Sequence, residues 1–197
     1  TISKYASWCD EYDIETWCQE GYRLYCPRWV EARDKKTGEM LFQSKNLWVI
    51  MDMIKGRPER PSYIDGRLPY VDPQLRHFDP ALPKFPSEDE YNEGSFDSLK
   101  VHPTYYDTDY NRHVNNISYI VWLMESFPHE YLDHNLPEFF DVEWKKQCHL
   151  GDEIRVETKK KENSEEYYTK ILRKCEDGSE EIAFHGITRW RKRVLDK

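Results

Sequence analysis

Residues 106–128 read YDTDYNRHVNNISYIVWLMESFP, and this stretch decides how the rest of the chain is understood. Its first half packs aspartates, asparagines and a histidine more densely than any other window of the sequence. Asp107, Asp109 and Asn111 have the spacing of the first oxygen ligands in an EF-hand calcium loop. Such a loop needs glycine at its sixth position and a bidentate glutamate at its twelfth, where Arg112 and Ser118 stand instead. The cluster is therefore not read as a calcium site, and no metal is expected. In the second half, apolar residues at 117, 120, 121 and 124 share one helical face. Tyr119, Trp122 and Leu123 make the other face apolar too, so the helix is expected to be wrapped by a sheet on most sides and stopped by Pro128.

The flanking sequence supplies such a sheet. A short strand is expected near SLKVHPTYY (98–106). Four more are expected over FFDVEWKKQCHL (139–150), DEIRVETKKK (152–161), EEYYTKILRKC (165–175) and EEIAFHGITRWRKR (180–193), with EDGS as a hairpin signal. One strand, one buried helix and four antiparallel strands form an α+β pattern in the order of a hotdog domain, assigned to residues 98–197. Upstream, seven of the eleven prolines fall between Lys55 and Gly94, too many for a helix or a central strand. Residues 55–97 are accordingly expected to be a linker that packs its tyrosines and phenylalanines on a surface. Before it, YDIETWC alternates, YRLYCPRWVEAR is extended, and KKTGE is a turn leading into MLFQSKNLWVIMD. That antiparallel meander occupies residues 1–54.

Composition narrows the function. The 197 residues suffice for a real core, and the net charge of −8 argues against nucleic acid or an anionic membrane surface as partner. No apolar run approaches the ~20 residues of a membrane span, and the opening TISKYASWCDEYD lacks a signal-peptide pattern. Cytosol or an organelle lumen is expected. Five scattered cysteines without a Cys-x-x-Cys pair suggest reduced thiols, not disulfides or zinc ligands.

Two motifs then carry a resemblance. DYNRHVNNISYIVWLMES resembles the second-domain signature of the acyl-acyl-carrier-protein thioesterases, tandem-hotdog hydrolases of plastids and bacteria. Their motif runs Asp-x-Asn-x-His-Val-Asn-Asn before a helix, and Asp109, Asn111, His113, Val114, Asn115 and Asn116 match it without a gap. VEWKKQCHLGD is similar to the family strand in which a basic pair precedes an acidic residue and a cysteine. Lys145, Lys146 and Cys148 match there, while Gln147 stands where the family usually has glutamate. YASWCDEYDIETW and WVEARDKKTGEML look like the later strands of the family's first hotdog. That first domain opens with a strand and a long helix, which nothing before Tyr5 supplies. The chain is thus expected to be truncated within its first domain, with bare apolar surface that drives it to self-associate as a homo-oligomer.

The resemblance implies a thioester hydrolase that releases free fatty acid from acyl-acyl-carrier protein in fatty acid biosynthesis, in bacterial cytoplasm or plastid stroma, with no cofactor. It also implies that Asp109, Asn111 and His113 form the catalytic set. The residues themselves suit this chemistry. Thioester hydrolysis needs a polarised carbonyl, an activated water and a stabilised oxyanion. A histidine just before a helix can transfer protons close to the positive end of the helix dipole, and Asn111 can orient water or the carbonyl. Asp109 can hold its neighbours, although Asp109 and Asn115 also fit the plainer role of helix caps. In a strand, Gln147 and Cys148 point to opposite faces, so only one of them addresses the site unless a bulge intervenes. Water attack assisted by Asn111 and His113 is the favoured reading, with Cys148 lining the site. A Cys148 nucleophile with His113 as its base remains the alternative. His102, His149 and His185 are read as structural or exposed.

The implied partner, an acidic carrier protein bearing an acyl-phosphopantetheine arm, calls for basic docking residues. Lys145, Lys146 and RWRKR (189–193) are the candidates. Gln147 and Asn115 complete the expected substrate contacts. An acyl-coenzyme A thioesterase on the same fold and a non-catalytic acyl-binding hotdog protein are the alternatives.

Overall fold

The computed structural model describes residues 1–52, 54–64, 66–67, 69–72, 85, 87–91, 93–96 and 98–194. The chain divides into two compact units, Thr1–Lys84 and Phe85–Lys197. Residues 73–84, in the middle of the expected 55–97 linker, lie outside the described residues.

The first unit holds the expected meander and adds a fourth strand from the stretch expected to be linker. Strands β1 (Tyr12–Cys18), β2 (Tyr25–Asp34), β3 (Met40–Asp52) and β4 (Arg57–Glu59) form an antiparallel sheet in the order β1-β2-β3-β4. The KKTGE turn forms because Asp34 Oδ1 accepts the N–H groups of Lys36 and Thr37 (2.9 and 2.7 Å), and Gly38 takes the left-handed conformation at φ 73°. Pro58 sits in β4 at the sheet's edge, where a missing N–H is tolerated.

The second unit wraps one helix in a six-stranded antiparallel sheet, the hotdog arrangement. β5 (Glu93–Ser95) and β6 (Leu99–Val101) both pair with β8 (Ile154–Lys160). β8 is followed across the sheet by β9 (Glu166–Lys174), β10 (Glu180–Lys192) and β7 (Asn135–Trp144). Helix α1 (Asn116–Glu125) buries Tyr119, Trp122 and Leu123 against Ile154, Val156, Tyr167, Ile171, Phe184 and Trp190. A buried hydroxyl chain ties the helix end to the sheet: Ser126 Oγ donates to the Leu123 carbonyl (2.7 Å) and shares a hydrogen bond with Thr158 Oγ1 (2.7 Å), which pairs with Thr169 (2.8 Å). On the other side of the sheet Tyr91, Tyr168 and Ile187 form a smaller cluster, with Phe85 stacked on His185 at 3.9 Å.

Three expectations need correction. The buried face of α1 is 118, 119, 122 and 123, while Ile117 and Val121 of the other face remain 61% and 48% exposed. The strand expected to run to Leu150 ends at Trp144, because Lys145 and Lys146 both direct their N–H groups at the single carbonyl of Ala183 (2.8 and 3.0 Å) and break the ladder. A short helix α2 (His129–His134) follows Pro128, whose fixed φ suits the start of a helix as well as the end of one.

Candidate active site

The motif folds into a loop that its own side chains hold. Asp109 Oδ1 accepts the backbone N–H groups of Asn111 (2.8 Å) and His113 (3.2 Å), and the Asp109 N–H donates to the His113 carbonyl (2.8 Å). Closing so tight a turn puts Arg112 in the left-handed region at φ 63°. Asn115 caps α1, its Oδ1 accepting the Ile117 N–H at 3.0 Å. Just upstream, Asp107 Oδ2 accepts from the Thr104 N–H and hydroxyl, both at 2.7 Å. Burial pushes the Asp107 carboxyl up, but hydrogen bonds from Thr104 and Ser118 outweigh it and hold the group below its usual range. Asp109 is therefore not the helix cap; it is the brace of the loop. It leaves Asn111 exposed and His113 half-buried at the foot of α1. Among the described residues neither the Asn111 amide nor the His113 ring has a hydrogen-bond partner, so both are available to a substrate.

A second irregular segment, residues 145–152, meets this loop, and distant groups hold it. Arg173 Nη1 donates to the Gln147 carbonyl (2.8 Å), the Cys148 N–H donates to Tyr119 Oη (2.9 Å), and the Val114 N–H donates to the Cys148 carbonyl (2.8 Å). Only the His149–Asp152 turn is local, with the His149 N–H on Asp152 Oδ2 at 2.9 Å and Gly151 at φ 89°. The result separates two neighbours: Cys148 is fully buried and Gln147 is exposed. Burial pushes the Cys148 thiol up, against a smaller opposing effect of the Tyr119 hydroxyl, so the thiolate is disfavoured.

The structure thus brings His113 and the Cys148 segment together and places Asn111 at the loop's exposed tip. It also brings in a residue that sequence reasoning had set aside: the His149 ring meets the His113 ring edge to face, with centroids 5.3 Å apart. Tyr119 and Arg173, which fix the segment, carry no sequence signal of that role. Of the candidate docking residues Lys145, Lys146, Arg189, Lys192 and Arg193 are exposed, Arg191 is half-buried and Trp190 lies in the core, and three of the exposed ones are partly neutralised. Lys145 lies 3.8 Å from Glu143, Lys146 3.9 Å from Glu181, and Arg189 3.8 Å from Glu166. Among the described residues there is no cluster of side chains fit to hold a metal, and no helix is long and apolar enough to cross a membrane.

Comparison with known proteins adds the context. The family profile for the acyl-ACP thioesterase C-terminal domain matches residues 90–192, and that for the N-terminal domain matches residues 1–62. Oleoyl-acyl carrier protein thioesterase 2, chloroplastic, of Arabidopsis thaliana is 30% identical over 98% of this chain and 59% of its own length. Among solved structures, the 12:0-ACP thioesterase from Umbellularia californica superposes with a TM-score of 0.75 at 22% identity, covering 98% of this chain and 72% of that one. An acyl-ACP thioesterase from Bacteroides thetaiotaomicron gives 0.68 at 20% identity, over 91% and 68%. These likenesses establish the fold. The chain spans less than two thirds of the length of these curated relatives, 59% for the Arabidopsis thioesterase 2 and 58% for oleoyl-acyl carrier protein thioesterase 1 of the same plant.

Proposed function

The chain belongs to the acyl-ACP thioesterase family, and from that premise we propose that it hydrolyses the thioester of an acyl-acyl-carrier protein and releases free fatty acid. The observation that supports this best is the braced loop. Asp109 commits its carboxylate to the backbone, which presents Asn111 and His113, whose side chains have no hydrogen-bond partner among the described residues, just before the positive end of α1. In this reading His113 takes the proton from the attacking water and Asn111 orients that water or the carbonyl. Cys148, buried and disfavoured as a thiolate, lines the site, and Asn115 serves first as the helix cap. Ile117 and Val121, exposed on the α1 face that the sheet leaves open, offer an apolar strip for the acyl chain.

Lys145, Lys146 and the basic residues of 189–193 are proposed to meet the acidic carrier, and Gln147, exposed beside them, to contact the pantetheine arm. The chain would then work where fatty acids are built, in plastid stroma or bacterial cytoplasm, with the proline-rich stretch between β4 and β5 linking two hotdog domains. The deciding experiment is the release of free thiol when the purified chain meets acyl-acyl-carrier protein, run beside the acyl-coenzyme A of the same acyl group. Faster turnover of the carrier substrate is expected. Faster turnover of the coenzyme A substrate would reassign the partner, and no thiol from either would leave only acyl binding.

A further inference from the structure

We propose that His149 is a second catalytic histidine, the acid that protonates the leaving sulfur while His113 takes the proton from water; this rests on the thioesterase reading above. The observation behind it is the meeting of two imidazoles from segments far apart in the chain. The His149 ring stands at 80° to the His113 ring with centroids 5.3 Å apart, and its side chain is about half exposed, at 49%. His149 is also placed, not merely adjacent. Asp152 Oδ2 accepts its backbone N–H at 2.9 Å and lies 4.0 Å from its Nδ1, and Asp152 is itself 3.9 Å from Arg173 Nη1. These contacts fix a carboxylate beside the ring, close to the place that a third group commonly takes next to an acid–base histidine.

Three other side chains of that segment fail the task for separate reasons. The Gln147 amide does not transfer protons, Cys148 is sealed from solvent, and Lys146 is turned to Glu181 at 3.9 Å. Two imidazoles solve a difficulty that one does not. A lone base must carry the water's proton across to the sulfur, whereas here the transfers are divided. The water oxygen bonds to the carbonyl carbon as one water proton passes to His113. The tetrahedral adduct then collapses, the C–S bond breaks, and the departing sulfur takes a proton from the His149 imidazolium. The products are the carboxylic acid and the free thiol. His113 is left with one proton more and His149 with one fewer, and exchange with solvent restores both.

The test compares two thioesters of one acyl group. An alkyl thiol has a pKa near that of free cysteine, ~8.5, and gains from a proton donor, whereas a nitrothiophenolate departs unaided. His149→Ala and His149→Gln are expected to lose about 10- to 100-fold in kcat on the alkyl thioester and less than about threefold on the aryl one. That range lies at and below the lower limit of general acid–base help, because an alkyl thiolate still leaves partly without it. His113→Ala should lose heavily on both. Equal losses on the two substrates, or none on either, would overturn the assignment of His149 while leaving the thioesterase reading intact. A wild-type chain that cleaves neither substrate would overturn both. Near-UV circular dichroism of the glutamine variant, which keeps much of the side chain's volume, checks that packing has not changed.

Discussion

Residues 104–115 and 145–152 meet at the candidate site, and they are held in opposite ways. The first segment is its own scaffold: Asp107 binds Thr104, Asp109 braces the backbone at 111 and 113, and Asn115 caps the helix two residues on. The second depends on the rest of the unit. Its fixed points are Tyr119 and Arg173, 29 and 26 residues away from their partners, together with the Ala183 carbonyl. The difference teaches that one half of the site is encoded locally and the other half exists only once the sheet and helix have assembled. Substitutions of the groups that the first segment presents, Asn111 and His113, should therefore act on chemistry, and those in the supports of the second should act chiefly on stability.

The largest effect tests the chemistry. His113→Ala and Asn111→Ala should each lose at least ~100-fold in kcat, because general acid–base and orienting groups contribute on that order. Both variants should stay close to the wild-type urea midpoint, since neither side chain hydrogen-bonds to the protein and His113 gives up only its edge contact with the His149 ring. A lowered midpoint with near-normal kcat would turn the comparison around and make the motif a structural cap.

Next come the supports. Tyr119→Phe strips the acceptor from the buried Cys148 N–H, and an orphaned buried donor costs ~1–3 kcal/mol. Asp109→Ala strips acceptors from two N–H groups in a loop that water reaches, with an expected cost nearer ~1 kcal/mol. Urea denaturation should rank Tyr119→Phe as the more damaging. The reverse order would show that the loop, not the distant support, is the stability-determining half.

A smaller effect is present at neutral pH and fades in acid. The folded pKa of Asp107 lies below its ordinary 3.8, so the group's contribution to stability is present above the unfolded value and is lost as pH falls through the folded one. Asp107→Asn should then be less stable than wild type at neutral pH, with the gap narrowing below about pH 4. Urea midpoints of both proteins measured down that range check this. A gap that stays constant would mean that the carboxylate's charge plays no part in anchoring Thr104.

The same contrast explains what was legible in the sequence. Alternation, turn residues and the helical pattern located the strands, the KKTGE and EDGS turns and α1, because each is decided within a few residues. The Asp-x-Asn-x-His cluster was visible for the same reason. Helix α2 escaped because six residues are too few to show a period. Both faces of α1 are apolar, so only the sheet's own shape chose Tyr119, Trp122 and Leu123 for burial over Ile117 and Val121. The end of β7 was misplaced since the apolar and polar pattern continues through Cys148, and what stops the strand is a carbonyl on β10. His149 was set aside with it, because its meeting with His113 depends on where that strand stops.

The central claim is that the two segments join imidazoles, not a thiolate, to the thioester. Rapid-quench mass spectrometry of the chain with acyl-acyl-carrier protein tests it most directly. The account predicts an unmodified chain at every time point and a Cys148→Ala variant that still turns over substrate with no burst. An acyl group found on the Cys148 peptide, formed and discharged at the rate of turnover, would contradict it and make the cysteine the nucleophile.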